Sequence, residues 1–118
     1  MARDIKKLEW HRYIPKWDNQ HKDENSIELQ IHPLSQVELS KYGRIGESLK
    51  KTNEDNYANE LSKKMFVDNV KDIKNLKCNG IEIKDSLSLW ELGIASLNNE
   101  ITEAILDISK LQEDEKKD

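Results

Sequence analysis

Apolar residues recur at alternating spacings of three and four from Leu87 to Leu111, at Leu87, Trp90, Ile94, Leu97, Ile101, Ala104, Ile108 and Leu111. That spacing lines them along one side of an α-helix. Ser88 and Glu91 have the spacing of an S-x-x-E capping box, with Leu87 and Leu92 placed to staple the entry, so a start near Ser88 is expected. Gly93, Ala95 and Ser96 weaken the middle. The pattern therefore predicts a short helix, a bend and a longer helix from about Leu97 to Leu111, one unbroken helix being the alternative. Such a stripe reads first as a core face and second as a groove for a partner.

Other stretches carry other periods. Trp10 to Ile14 is a short edge strand with Trp10, Arg12 and Ile14 on one face, ended by Pro15. Ile27, Leu29 and Ile31 alternate with Glu28, Gln30 and His32, the period of a half-buried strand that would pair with the first. Between them, Lys16 to Ser26 is polar except for Trp17 and reads as a solvated connection. Ser35 and Glu38 form a second capping box with Leu34 and Leu39 as staple, starting a helix at Gln36. Val37, Ile45 and Leu49 share its face loosely, and a break is expected at Gly43-Arg44-Ile45-Gly46 because glycine disfavours helix interiors. A further helix is predicted from Tyr57 to Asp68, with Leu61, Met65 and Phe66 turned towards the C-terminal helix.

Asn79-Gly80 supplies the two positive-φ residues of a type I′ turn, pairing Cys78 with Ile81, Lys77 with Glu82 and Leu76 with Ile83. Leu76, Cys78, Ile81 and Ile83 then share an apolar face, and Lys77 and Glu82 form an ion pair on the other. The order strand, strand, helix, helix, hairpin, helix defines an α+β class: a small antiparallel sheet, from the N-terminal strand pair and the Asn79-Gly80 hairpin, with three to four helices packed on it. Residues 1–118 read as a single domain, with 1–9 and 112–118 expected to be flexible.

Composition sharpens the picture. The chain has 118 residues, of which 36% are hydrophobic and 36% charged, so the core should be thin. The net charge is -4 and the lysines are dispersed, which disfavours a nucleic-acid surface. No apolar run approaches the roughly 18 residues that span a bilayer, and Met1 to Trp10 lacks a signal-peptide core, so a cytoplasmic chain without membrane contact is expected. A single cysteine, Cys78, agrees with a reducing compartment.

Chemistry is sparse. His11, His21, His32 and Cys78 have no metal-ligand spacing, no phosphate-cradling glycine loop occurs, and the carboxylates lie on solvated helix faces. Neither a catalytic site nor a cofactor or metal is expected. One motif points elsewhere: Gly43, Arg44, Ile45 and Gly46 form a GxxG between helical segments, and in KH domains such a loop clamps single-stranded nucleic acid. Glu47 and the stretch Asn53 to Asn56 would oppose phosphates there.

Four stretches together resemble the small tail assembly chaperones of long-tailed bacteriophages: WHRYIPKW from Trp10, IELQIHPLSQVE from Ile27, VKDIKNLKCNGIEIKD from Val70 and EITEAILDISKLQEDEKKD from Glu100. The resemblance implies a cytosolic, non-enzymatic helper that binds the tape measure protein, or another phage tail protein, before the tail tube polymerises, with self-association a further expectation. A tape measure chain is long, helical and apolar along one face, so it needs cover before assembly. Candidate contacts are Leu92 and Leu106, off the main stripe, and Trp17 and Phe66, for which so thin a core has no obvious place.

Overall fold

The computed structural model describes residues 8–17, 26–52 and 55–116, with side chains up to Lys110. The expectations for residues 1–7, for most of the connection between Lys16 and Ser26, for Asn53 and Glu54, and for the last two residues lie outside the described residues. The elements are β1 (His11–Tyr13), β2 (Glu28–Ile31), α1 (Gln36–Thr52), α2 (Tyr57–Asn69), β3 (Val70–Lys74), β4 (Lys77–Cys78), β5 (Ile81–Glu82), α3 (Ser86–Glu91) and α4 (Ala95–Lys116). The fold is α+β.

The main sheet is antiparallel in the order β1-β2-β3, and β4-β5 is a separate ribbon. The edge strand pairs His11 with Ile31 and Tyr13 with Leu29, as the alternation requires. The third strand breaks alternation, which is why the sequence pattern hides it. Between the pairs Gln30–Lys71 and Glu28–Lys74, β3 carries one residue more than β2. The extra residue is Asp72, at φ +53. This bulge lets Val70 and Ile73, three apart, both turn into the core.

Leu29, Ile31, Phe66, Leu89, Leu97, Ile101 and Ile105 are all fully buried in one cluster that also takes in Leu34, Tyr42, Val70, Ile73 and Ile83. Phe66 is thus at the centre, its ring 5.3 Å from that of Trp90 in an edge-to-face contact. The expectation that the core has no place for it is wrong, because α3 packs on it through Trp90 and the cluster also draws on β3, a strand that the pattern did not reveal. The inward row of α4 is Leu97, Ile101, Ile105 and Ser109, with Ala104 and Ile108 at its margin. Ser109 Oγ accepts the Leu34 N–H at 2.6 Å, tying the α1 entry to α4.

Helix ends follow local chemistry. The Ser35–Glu38 box is reciprocal, Glu38 N–H donating to Ser35 Oγ at 3.1 Å and Ser35 N–H to Glu38 Oε1 at 3.2 Å. At α3 the cap lies three residues earlier than the S-x-x-E reading placed it: Asp85 accepts Ser88 N–H at 3.0 Å. The hydrogen bonds from Ser88 hold the Asp85 carboxyl below its ordinary range. The expected bend is present, with Gly93 at φ +73 between α3 and α4. The long helix begins earlier than Leu97 and continues to Lys116, so the expected tail from Gln112 is helical in backbone up to that residue.

The hairpin keeps its predicted turn and register: Asn79 and Gly80 have φ +52 and +81, Lys77 faces Glu82, Cys78 faces Ile81, and Ile83 N–H donates to Leu76 O. Its burial differs. Ile83 is buried but Ile81 is 70% exposed and Cys78 is exposed, because the ribbon leaves the body of the fold at its root. Glu82 pairs with Lys84 at 3.3 Å, not with Lys77.

Candidate docking surface

The GxxG motif has no loop to occupy. Gly43, Arg44, Ile45 and Gly46 all lie inside α1, which runs unbroken from Gln36 to Thr52. Two glycines cost about 2 kcal/mol of helix propensity, but Gly46 is buried against α2, where an added Cβ would stand 3.1 Å from Leu61 Cδ2. Close helix packing at Gly46 therefore offsets part of the cost that was expected to break the helix. The nucleic-acid clamp, which needs those backbone groups unpaired in a loop, loses its structural basis here.

That close approach shapes a neighbouring feature. Beside it, Ile45 and Leu49 of α1, Val67 of α2 and Leu87 of α3 line an open groove of about 300 Å³. Leu87 is 40% exposed, so the residue expected to lead the core stripe instead forms a wall of this groove. Glu60, Lys63, Lys64 and Asp68 form the charged rim, with Lys64 and Asp68 paired at 3.6 Å. Asp68 is also fixed from behind, accepting the Tyr42 hydroxyl at 2.8 Å, while Asn69 Nδ2 donates to that hydroxyl at 3.1 Å and to Met65 O at 2.8 Å. Burial and the Asp68 carboxylate push the Tyr42 phenol from 10.0 up to about 12. Ser86 Oγ donates to Val67 O at 2.9 Å, which fixes α3 against the same helix. The groove has an aliphatic floor and a rim of two acidic and two basic side chains, a lining suited to holding apolar side chains.

The four candidate contact residues do not converge. Phe66 is fully buried and so is not presented to a partner, while Leu92 is half-buried against the core. Leu106 is 40% exposed on the outer side of α4. Trp17 is 36% exposed and its indole N–H donates to Ser96 Oγ at 2.9 Å, at the start of the same helix. The Lys16 N–H donates to Glu100 Oε2 at 2.8 Å, and the Tyr13 hydroxyl donates to the same oxygen. Burial, followed by that carboxylate, pushes the Tyr13 phenol well up. These bonds strap the chain after β1 across the first turns of α4.

Sequence reasoning noticed Ile45 and Leu49 but missed Val67 and Leu87 as their companions. The Ile45–Leu49 spacing of four beside a glycine was the available signal; that α3 would close the groove is tertiary information. Among the described residues there is no cluster of His, Cys, Asp and Glu that could hold a metal ion, and no helix is long and apolar enough to cross a membrane. Comparison with protein-family models, curated proteins and solved structures finds no match.

Proposed function

We propose that this protein is a tail assembly chaperone of a long-tailed bacteriophage, acting without catalysis by covering an apolar helical segment of the tape measure protein in the host cytoplasm. The reading starts from the resemblance in the four stretches named above. The observation that carries it in three dimensions is the aliphatic groove across α1, α2 and α3. A helix with apolar residues one turn apart can set one of them between Leu49, Val67 and Leu87, while its polar flanks meet Glu60, Lys63 and Lys64. A groove of this size holds one or two side chains, which suits a partner that must be released when the tube forms. Trp17 and Leu106, exposed along α4, are proposed as a second and smaller contact.

Co-expression tests the proposal. The parent chain should hold the tape measure protein of the same phage in the soluble fraction and co-purify with it. If a folded, abundant chain leaves that protein as insoluble as it is alone, the reading is wrong.

A further inference from the structure

An asparagine side chain holds a carbonyl carbon that the backbone nitrogen of the next residue can reach by closing a five-membered ring. Bulk on that next residue, a hydrogen-bonded side-chain amide or a backbone locked by packing keeps the two apart. Among the asparagines of this chain, Asn79 alone is followed by glycine. Asn79 and Gly80 are exposed, and a Cβ built on Gly80 would meet nothing within 4 Å. Neither the Asn79 amide nor the Gly80 N–H has a hydrogen-bond partner among the described residues. The ribbon around them has two residues on each strand, Lys77–Cys78 and Ile81–Glu82, all four exposed. A two-stranded ribbon with no packed face opens at little cost. The turn can therefore leave φ +52 at Asn79 and bring the Gly80 nitrogen behind Asn79 Cγ.

The other described asparagines show what restrains this chemistry elsewhere. Asn75 is exposed and has a similar backbone, φ +63, but its Nδ2 donates to Ser26 O at 2.9 Å and the next residue is Leu76. Asn69 and Asn98 are buried, with Nδ2 donating to the Tyr42 hydroxyl and Met65 O in the first and to Trp90 O in the second.

We propose that Asn79 is a site of spontaneous deamidation and that the change dismantles the tip of the ribbon. The Gly80 nitrogen gives its proton to solvent and bonds to Asn79 Cγ. The Cγ–Nδ2 bond breaks, and the amide takes up a proton and leaves as ammonia. Water then opens the cyclic imide. Attack at Cγ restores the ordinary backbone and leaves aspartate; attack at the Asn79 backbone carbonyl routes the main chain through the side chain and leaves isoaspartate. One water enters, one ammonia leaves, and nothing is oxidised or reduced. Either product adds a carboxylate to a chain whose net charge is -4. Isoaspartate also adds a carbon to the main chain, so a two-residue turn no longer sets Cys78 opposite Ile81 or Lys77 opposite Glu82. The damage stops at the root of the ribbon, where Ile83 is buried and its N–H donates to Leu76 O at 2.9 Å. The site is separate from the α1–α2–α3 groove and does not depend on how that groove is used.

The test incubates the folded full chain in mildly alkaline buffer and follows it by peptide mapping with mass spectrometry. A protein isoaspartyl methyltransferase and a labelled methyl donor report isoaspartate. The peptide holding Asn79 should gain one dalton at least tenfold faster than those holding Asn69, Asn75 or Asn98, and faster still as pH rises. Asn79→Gln, whose ring would need a sixth member, should remove most of the methyl-acceptor signal. The isoaspartyl product, separated by anion exchange on its added charge, should lose the Cys78–Ile81 cross-strand contacts in its NMR spectrum and keep those of the β1-β2-β3 sheet. The proposal is overturned if the folded chain modifies Asn79 no faster than Asn75, if folding slows Asn79 more than tenfold relative to the chain in urea, if Asn79→Gln leaves the methyl-acceptor signal undiminished, or if the isoaspartyl ribbon keeps its register.

Discussion

At the scale of single residues, positive φ is where this chain spends conformational strain. Asp72, Asn75 and Asn79 are non-glycine residues in the left-handed region, at φ +53, +63 and +52. Asp and Asn tolerate it better than other side chains, and a β-branched residue tolerates it worst. Asn75 compensates through Nδ2, which donates to Ser26 O at 2.9 Å. Asp72 has a geometric role, since without the bulge Ile73 would leave the core. Asp72→Val should therefore be less stable than Asp72→Gly by more than about 1 kcal/mol, read from urea unfolding of the two. Equal midpoints would mean that the bulge is not fixed in solution. Gly80→Val at φ +81 should lower stability by more than about 1 kcal/mol for the same reason, and an unchanged melting temperature would show that the type I′ turn does not form.

The two glycines of α1 separate helix propensity from packing at the scale of the element. An added Cβ at Gly43 meets nothing within 4 Å, so Gly43→Ala should stabilise by up to about 1 kcal/mol. Gly46→Val forces Leu61 aside and should destabilise. Were the segment a loop, Gly43→Ala would bring no gain, so one thermal melt decides between helix and clamp. The α1–α2 pair also carries an alkaline dependence. Because the Tyr42 phenol is raised from 10.0 to about 12, the folded state holds its proton more tightly than the unfolded state does. That stability is intact below pH 10.0 and is lost as pH rises through about 12. Tyr42→Phe should reduce the loss of stability over this range and leave the part that the raised Tyr13 phenol carries; an unaltered profile would show that Tyr42 does not titrate there. These elements also show what a pattern can reveal. The Ser35 cap, the Asn79-Gly80 turn and the Gly93 bend were legible because each is decided by residues within four of one another. The third strand was not, since a bulge removes the period-two signal, and the outward course of the ribbon was not, since its alternation is the same whether or not anything covers it. Phe66 was misread for the same reason: its burial depends on α3 and β3, not on its neighbours in α2.

At the scale of the whole molecule, the apolar surface left by the core decides how a client could be held. Val37 at 75% and Ile81 at 70% exposure lie on α1 and beside the ribbon turn, outside the core cluster, and scattered apolar residues of this kind are ordinary. Leu87 differs, because Ile45, Leu49 and Val67 continue its surface into a concavity. Leu106 is as exposed as Leu87, both at 40%, but sits on a convex helix face beside Glu103 and Asp107. Burying a leucine that is already partly covered stabilises a contact by about 1–2 kcal/mol, and only a concave site excludes water from all sides of the inserted group. Leu87→Glu should therefore leave the domain folded and sharply reduce retention of the tape measure protein on co-expression. Leu106→Glu should reduce retention less, as fits a secondary contact. Circular dichroism of each variant separates loss of binding from loss of fold, since Leu87 at 40% exposure can turn a carboxylate into water. Should Leu106→Glu alone abolish retention while Leu87→Glu does not, the client lies along α4 beside Trp17, and the groove is not its site.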